Sequence, residues 1–289
     1  MKLFLVWLGL AWGQETAVSG PEEASIAVAA RPTIVLIHGA WVSADSWEPV
    51  QKRYEERGYT VMAPRWPFEP SVGAVVSEGD PFVSLGVAQI ADEYQRSIEG
   101  IEGPVVLIGH SFGGLIVQVL LDRGVGDVGV AISPAPSKGI VPSLRAAATI
   151  LPFVRLKKGG RVPSAISRKQ FGRNFANGID ADDVDEGYRK YVIPAPGRLF
   201  WEATFRPIKV NFRNPNRAPL LLIAGEQDRV ITKGMVRATY RRQLRAGAAT
   251  EWRVVPGSHA LIVAEGWEKL ADESLEWALA NLGEGQIVK

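Results

Sequence analysis

The sequence predicts an α/β protein, a mostly parallel central sheet flanked by helices on both faces with a mainly helical segment inserted between two of its strands. Three observations carry this. Short apolar runs alternate with helical patterns from Thr33 onward. The runs are almost continuously apolar, as strands covered on both faces are, rather than alternating. The pattern breaks between Pro136 and Asn214, where Pro, Gly and charged residues are frequent and no buried strand is evident, and it resumes afterwards.

The elements follow in order. "TIVLIHG" (Thr33–Gly39) reads as a buried strand, and "ADSWEPVQKRYEERG" (Ala44–Gly58) as an amphipathic helix closed by glycine. "YTVMAP" is the next strand, and Phe82–Gly100 the second helix. "PVVLIGH" is a strand, and Phe112–Gly124 a helix apolar nearly all round, hence buried. Val128–Ser133, Ala218–Gly225 and Thr250–Gly257 are further strands, with a helix over Thr232–Ala246. A last helix begins near Glu265 and turns Trp267, Ala271, Leu275, Ala278 and Leu282 to the core. Residues 25–135 and 215–289 therefore form the core, and 136–214 the insertion. "SIAVAA" (Ser25–Ala30) is a weak candidate for an extra strand.

Composition narrows the function. At 289 residues, 46% of them hydrophobic, the chain can bury a large core in one large domain or two small ones. With 33 basic against 31 acidic residues, the net charge of +2 gives no reason to expect nucleic acid as partner. The absence of cysteine excludes disulfides, thiolate metal sites and cysteine nucleophiles. Three histidines, His38, His110 and His259, are too few for a histidine-rich metal site. Residues 1–24 read as a secretory signal peptide or an N-terminal arm. Lys2 precedes an apolar run from Leu3 to Trp12, which is too short to span a bilayer. A secreted or periplasmic location is favoured over a cytoplasmic one.

The stretch "VVLIGHSFGG" carries the chemistry. Gly109-His110-Ser111-Phe112-Gly113 is a G-x-S-x-G pattern between a strand and a helix. A tight turn there holds the serine in an unfavourable backbone conformation and lifts its hydroxyl above the sheet edge. It also sets the serine at a helix N-terminus, where free N–H groups face developing negative charge.

A serine hydroxyl needs a base. His110 lies inside the turn and its side chain should point elsewhere, and His38 ends a strand in "LIHGAW". That leaves His259 in "VPGSHALI", after the last strand. The base in turn needs a carboxylate to orient it. Asp228 in "AGEQDRVI" follows the preceding strand, 31 residues before the histidine, with Glu226 its nearest rival. One oxyanion donor should be the N–H of Phe112 and the other that of Ala40 in the "HGAW" loop, each worth about 3–4 kcal/mol to a tetrahedral intermediate. Trp41 is expected as a pocket wall, and His38 as a brace for the loop.

From Thr33 to about Leu282 the chain resembles the α/β-hydrolase superfamily. "HGAW", "GHSFGG", "GEQDRVI" and "GSH" are similar to the branch that holds cofactor-free esterases, plant-type methylesterases and hydroxynitrile lyases. The order Ser111, Asp228, His259 is the order of that superfamily. The resemblance implies an α/β-hydrolase fold with a sheet of up to eight strands, a helical lid after the sixth, and no metal or organic cofactor. Some relatives keep their acid at the end of the strand after the nucleophile helix; here Ser133 stands there and closes that alternative.

The expected activity is hydrolysis of a carboxylic ester, lactone or thioester of a small, mainly apolar substrate through an acyl-enzyme on Ser111. A hydroxynitrile lyase-like reaction, a perhydrolase and a ligand-sensing receptor with little turnover are the alternatives. Ala40 argues against the lyase, whose relatives place a polar residue in that loop. Trp66, Phe68 and Trp201 are expected beside Trp41 in the substrate pocket. The insertion carries 15 Lys or Arg against 6 Asp or Glu. That surplus reads as a solvated basic face, or as a field attracting anionic substrates.

Overall fold

The structure, a computed structural model, describes residues 31–154 and 157–283. The segment 1–24 and the candidate strand Ser25–Ala30 lie outside the described residues. In chain order the elements are β1 (Thr33–Ile37), α1 (Glu48–Glu56), β2 (Thr60–Met62), α2 (Val87–Ile98), β3 (Val105–His110), α3 (Phe112–Asp122) and β4 (Val128–Ile132). Next come α4 (Leu144–Ile150), β5 (Pro163–Ser164), α5 (Arg168–Asn174), α6 (Ala181–Tyr191), β6 (Ala195–Pro196) and α7 (Gly197–Phe205). The chain then returns to β7 (Leu220–Gly225), α8 (Lys233–Gln243), β8 (Thr250–Val255) and α9 (Trp267–Ala280).

Among the described residues, six strands form one sheet in the order β2-β1-β3-β4-β7-β8, every neighbouring pair parallel. Parallel pairing needs crossovers, and the crossovers put helices on both faces. Ile34, Leu36, Val106, Ile108 and Val130 pack with Trp47 and Tyr54 on one side of the chain and with Leu275 and Ala278 of α9. Val35, Ile37, Leu107 and Leu222 belong to the opposite layer, with Ile90 and Tyr94 of α2, Leu120 of α3 and Val236 of α8. The central strands β1, β3, β4 and β7 are buried along their whole length, which is why their apolar runs do not alternate.

Two helices are shorter than their sequence patterns. Phe82–Gly100 divides into a 3-10 turn over Pro81–Ser84, opened by the Asp80 side chain accepting from Phe82 N, and α2 after Gly86. Ala44–Gly58 likewise begins as a 3-10 turn, because Pro49 can occupy only the first turn of the α-helix that follows.

Among the described residues between β4 and β7 the chain forms four α-helices, α4–α7, and the two-residue ladder β5–β6. The insertion follows the fourth strand of the described sheet. A lid after a sixth strand counts two strands before Thr33, and those would lie outside the described residues. The insertion is tied back at several points. Glu202 on α7 accepts from Val87 N at the N-terminus of α2, where a carboxylate also meets the helix dipole. Asn214 donates to the Asp122 backbone at the end of α3.

Candidate active site

The C-terminal ends of β1, β3, β7 and β8 deliver four loops to one edge of the sheet. Ser111 leaves β3 with φ 56°, a region few L-residues occupy, and α3 starts at the next residue. Such a conformation costs about 1–3 kcal/mol and persists only if its surroundings enforce it. Ser111 N donates to Ile132 O (2.9 Å), and Ser111 O accepts from Ala135 N (2.9 Å) and Leu115 N (3.2 Å). The neighbouring glycines are sites of close approach. A Cβ on Gly109 would strike the Gly113 carbonyl, and one on Gly113 the Ile37 carbonyl. A Cβ on Gly39 would come within 2.9 Å of Ser111 Cβ. Thus β1, β3 and α3 converge on the serine with no room for side chains. Among the described residues no acceptor takes the N–H of Phe112 or Ala40, the two sequence-predicted oxyanion donors.

His259 Nδ1 lies 2.7 Å from Asp228 Oδ2, and both side chains are buried. A carboxylate only accepts, so the imidazole proton sits on Nδ1 and Nε2 keeps its lone pair. Asp228 Oδ1 accepts from Val230 N and Ile231 N, each at 2.8 Å. Burial opposes ionisation of Asp228, but the His259 imidazole beside it, the hydrogen bond between them and the Ile231 N–H outweigh burial and hold the carboxyl below its ordinary range. Ser133 is fully buried and its hydroxyl also bears on that carboxyl, although it makes no hydrogen bond of ordinary geometry. Glu226 points outward to Lys233 at 3.4 Å and is half exposed, so it does not compete with Asp228. His259 Nε2 is buried without a partner, and no hydrogen bond joins it to Ser111 Oγ.

Three supports are absent from the sequence reading. His110 turns away from the serine, and its Nε2 lies 2.8 Å from the backbone carbonyl of His259. A carbonyl only accepts, so His110 is the Nε2–H tautomer. Burial, and then the neighbouring His259, push its pKa from 6.5 down to about 3. Gln227 N donates to Gly257 O while Gly257 N donates back to Gln227 Oε1, so the loops bearing Asp228 and His259 are clasped together. His38 braces the "HGAW" loop as expected, with Nδ1 on Gly39 O, but its other ring nitrogen meets a buried carboxylate, Glu69, at 2.8 Å. Glu69 also accepts from Ala44 N and Trp66 N.

Two cavities meet at Ala40, Trp41 and Phe175. The one lined by Ser111 and Phe112 has a volume near 320 Å³ and is apolar, closed by Ala146, Ile150 and Phe200. The one lined by His259 and His110 has a volume near 490 Å³ and reaches α6 and α9. Trp41 is held at φ 65° by a stack on Phe200 at 4.2 Å and by its indole N–H on Ser164 O.

The other expected pocket aromatics line neither cavity. Trp66 is buried, but stacks on His38 at 4.5 Å behind the loop. Phe68 sits on a positive-φ turn and is 65% exposed. Trp201 lies between Arg198 and Arg206 on the outer side of α7. Phe175, just beyond α5, takes the place these residues were expected to fill; its carbonyl accepts from Ala260 N and its ring meets His259 edge-on at 5.4 Å. Among the described residues no group of His, Asp or Glu is arranged to hold a metal ion.

A family model described as "Alpha/beta hydrolase family" matches residues 34–273. No curated protein matches the chain by sequence. Similar solved structures include an extracellular alpha/beta-hydrolase from a Paenibacillus species, described as sharing structural and functional homology with tobacco salicylic acid binding protein 2. It has a TM-score of 0.65 at 20% identity, over 86% of this chain and 98% of that one. A pyrethroid hydrolase from Sphingobium faniae JZ-2 gives 0.64 at 19%, over 87% and 98%. A thermophilic esterase from Thermogutta terrifontis gives 0.63 at 16%, over 87% and 91%. At these identities the likeness is one of fold.

Proposed function

The chain belongs to the alpha/beta hydrolase family, and from that premise we propose that it is a serine hydrolase, cleaving a carboxylic ester, lactone or thioester of a small, mainly apolar substrate. The observation that carries this reading is the buried Asp228–His259 pair, whose Nε2 is left free to accept a proton at the edge where Ser111 emerges. Ser111 Oγ gives its proton to His259 Nε2 as it attacks the acyl carbon. The bare N–H groups of Phe112 and Ala40 receive the charge that develops on the carbonyl oxygen. The imidazolium, steadied by Asp228, then protonates the leaving oxygen or sulfur, and the acyl group stays on Ser111. A water deprotonated by His259 releases the acid. The Ser111–His259 hydrogen bond closes when substrate enters, as catalytic hydrogen bonds often do. The insertion acts as a lid, since α4 and α7 roof the serine's cavity and α6 the histidine's. The esterase and the pyrethroid hydrolase of the same fold agree with this chemistry.

The test is covalent labelling with a fluorophosphonate probe alongside turnover of p-nitrophenyl esters. Labelling should map to Ser111 and vanish in Ser111→Ala, whose kcat should fall ~10⁴–10⁶-fold. Equal labelling of both proteins removes the serine-hydrolase reading.

A further inference from the structure

The proposed chemistry gives the two cavities different jobs. The acyl group remains bonded to Ser111, so it occupies the apolar cavity that Ser111 lines. The leaving group is protonated by His259, so it departs through the cavity that His259 lines. That second cavity is ringed by Asp183 and Glu186 from α6 and by Glu265 and Glu268 around the start of α9. Asp183, Glu186 and Glu265 enter no ion pair among the described residues, and Glu268 lies in the field of Arg53, which is itself bonded to Asp272. The one basic side chain on the rim, Lys190, is paired with Glu48 at 3.1 Å. Phe175, Tyr191 and Trp267 line the same cavity. On the rim of this cavity acidic side chains therefore outnumber basic ones, although the insertion as a whole is basic.

Resting on the ester-hydrolase reading, we infer that the leaving-group cavity selects esters whose alcohol carries a positive charge, such as a quaternary ammonium, and disfavours esters of anionic alcohols. Carboxylates attract the cation through solvent, and aromatic faces accept it at contact. With roughly 8 Å between a ligand charge and a carboxylate in a water-like medium, each carboxylate favours the cation about twofold over a neutral isostere at low salt, so that four together favour it about tenfold, and by about a hundredfold over an anion.

The experiment uses three butyrate esters of similar size, those of choline, 3,3-dimethylbutanol and 2-hydroxyethanesulfonate, assayed by pH-stat from ~20 mM to ~0.5 M salt. The order of kcat/KM should be cationic, neutral, anionic, and the spread should contract as salt rises. In Glu186→Gln/Glu265→Gln the cation-to-neutral ratio should move toward one. In parallel, calorimetry measures binding of the free alcohols to the wild type, which needs no turnover, and choline should bind more tightly than 3,3-dimethylbutanol. Choline binding no tighter than the neutral alcohol, or an anionic preference among the esters, overturns the inference. Failure to hydrolyse the neutral ester, together with an unlabelled Ser111, overturns the ester-hydrolase reading instead, and the alcohol-binding result still decides the charge preference.

Discussion

The buried His110 should make this protein sensitive to mild acid in a way that one substitution removes. Its pKa is lowered by burial, and by His259, from 6.5 to about 3. Between those values the unfolded chain binds a proton that the folded chain refuses. Stability from this group is therefore complete above about pH 6.5 and is lost as pH falls toward 3, at about 1.4 kcal/mol per pH unit. By pH 5 the loss is about 2 kcal/mol, and it depends only on the unfolded-state value, because the folded imidazole is still neutral there. The perturbation is His110→Gln, whose amide can donate to the His259 carbonyl but cannot titrate. Urea unfolding followed by tryptophan fluorescence at pH 7, 6, 5.5 and 5 gives the two pH dependences. Other acidic groups, Asp228 and Glu69 among them, contribute equally to both proteins and cancel. The wild type should lose about 2 kcal/mol more than the variant between pH 7 and pH 5, close to 4 °C or more in Tm for a chain of this size. Parallel lines would refute the reasoning, since His110 would then bind its proton as readily folded as unfolded.

The remaining expectations follow from packing and from the proposed roles of Ser111, Asp228 and His259. Asp228→Asn keeps the size of the side chain but removes the charge that orients and supports the imidazole; kcat should fall about 10³–10⁴-fold in ester assays while circular dichroism stays native. Gly113→Ala drives a methyl group into the Ile37 carbonyl, and because the obstacle is backbone at the centre of the sheet, the variant should lose more than ~3 kcal/mol in denaturant titration or fail to accumulate folded. Trp41→Ala removes the stack on Phe200 and the wall common to both cavities; it should cost about 3–5 kcal/mol in stability and raise kcat/KM for esters of bulky acids relative to acetate esters.

What could be read from the sequence was whatever depends on neighbours in the chain. The continuous apolar runs of β1, β3, β4 and β7 mark strands covered on both faces, and the glycines around Ser111 mark a turn with no space. The order of a serine, an aspartate and a histidine after successive strands was enough to single out Asp228 and His259, which the structure joins at 2.7 Å. Contacts between segments far apart in sequence could not be read. Glu69 meets His38 only because the loop after β2 folds beneath the "HGAW" loop. Trp66 and Phe68 lie two residues apart, yet one is buried and the other exposed, because the backbone between them turns. Trp201 is turned about 100° round α7 from Phe200, which stacks on Trp41, and so leaves that face. The charge of the insertion could be counted but not oriented. Asp183 and Glu186 of α6 border the cavity, while basic residues such as Arg168 and Arg198 pair with Asp185 and Glu202.

The route of the insertion also bears on how such a protein can be recombined. The chain leaves at the C-terminal end of β4 and returns at the N-terminal end of β7, its parallel neighbour, so it must travel the full height of the sheet before it can resume. That height is roughly 20 Å for a six-residue strand. The stretch around 206–219, hooked to the end of α3 through Asn214, is what makes the descent. An insertion borrowed from another member of the family cannot simply be stitched between the two strand ends as a surface loop can. It must bring its own descending segment or be joined to this one upstream of Asn211, whose N–H meets Asp122. Removing the insertion would likewise demand a linker long enough to cross the sheet. The downstream joint for building chimaeras therefore lies inside the insertion, before Asn211, not at the start of β7.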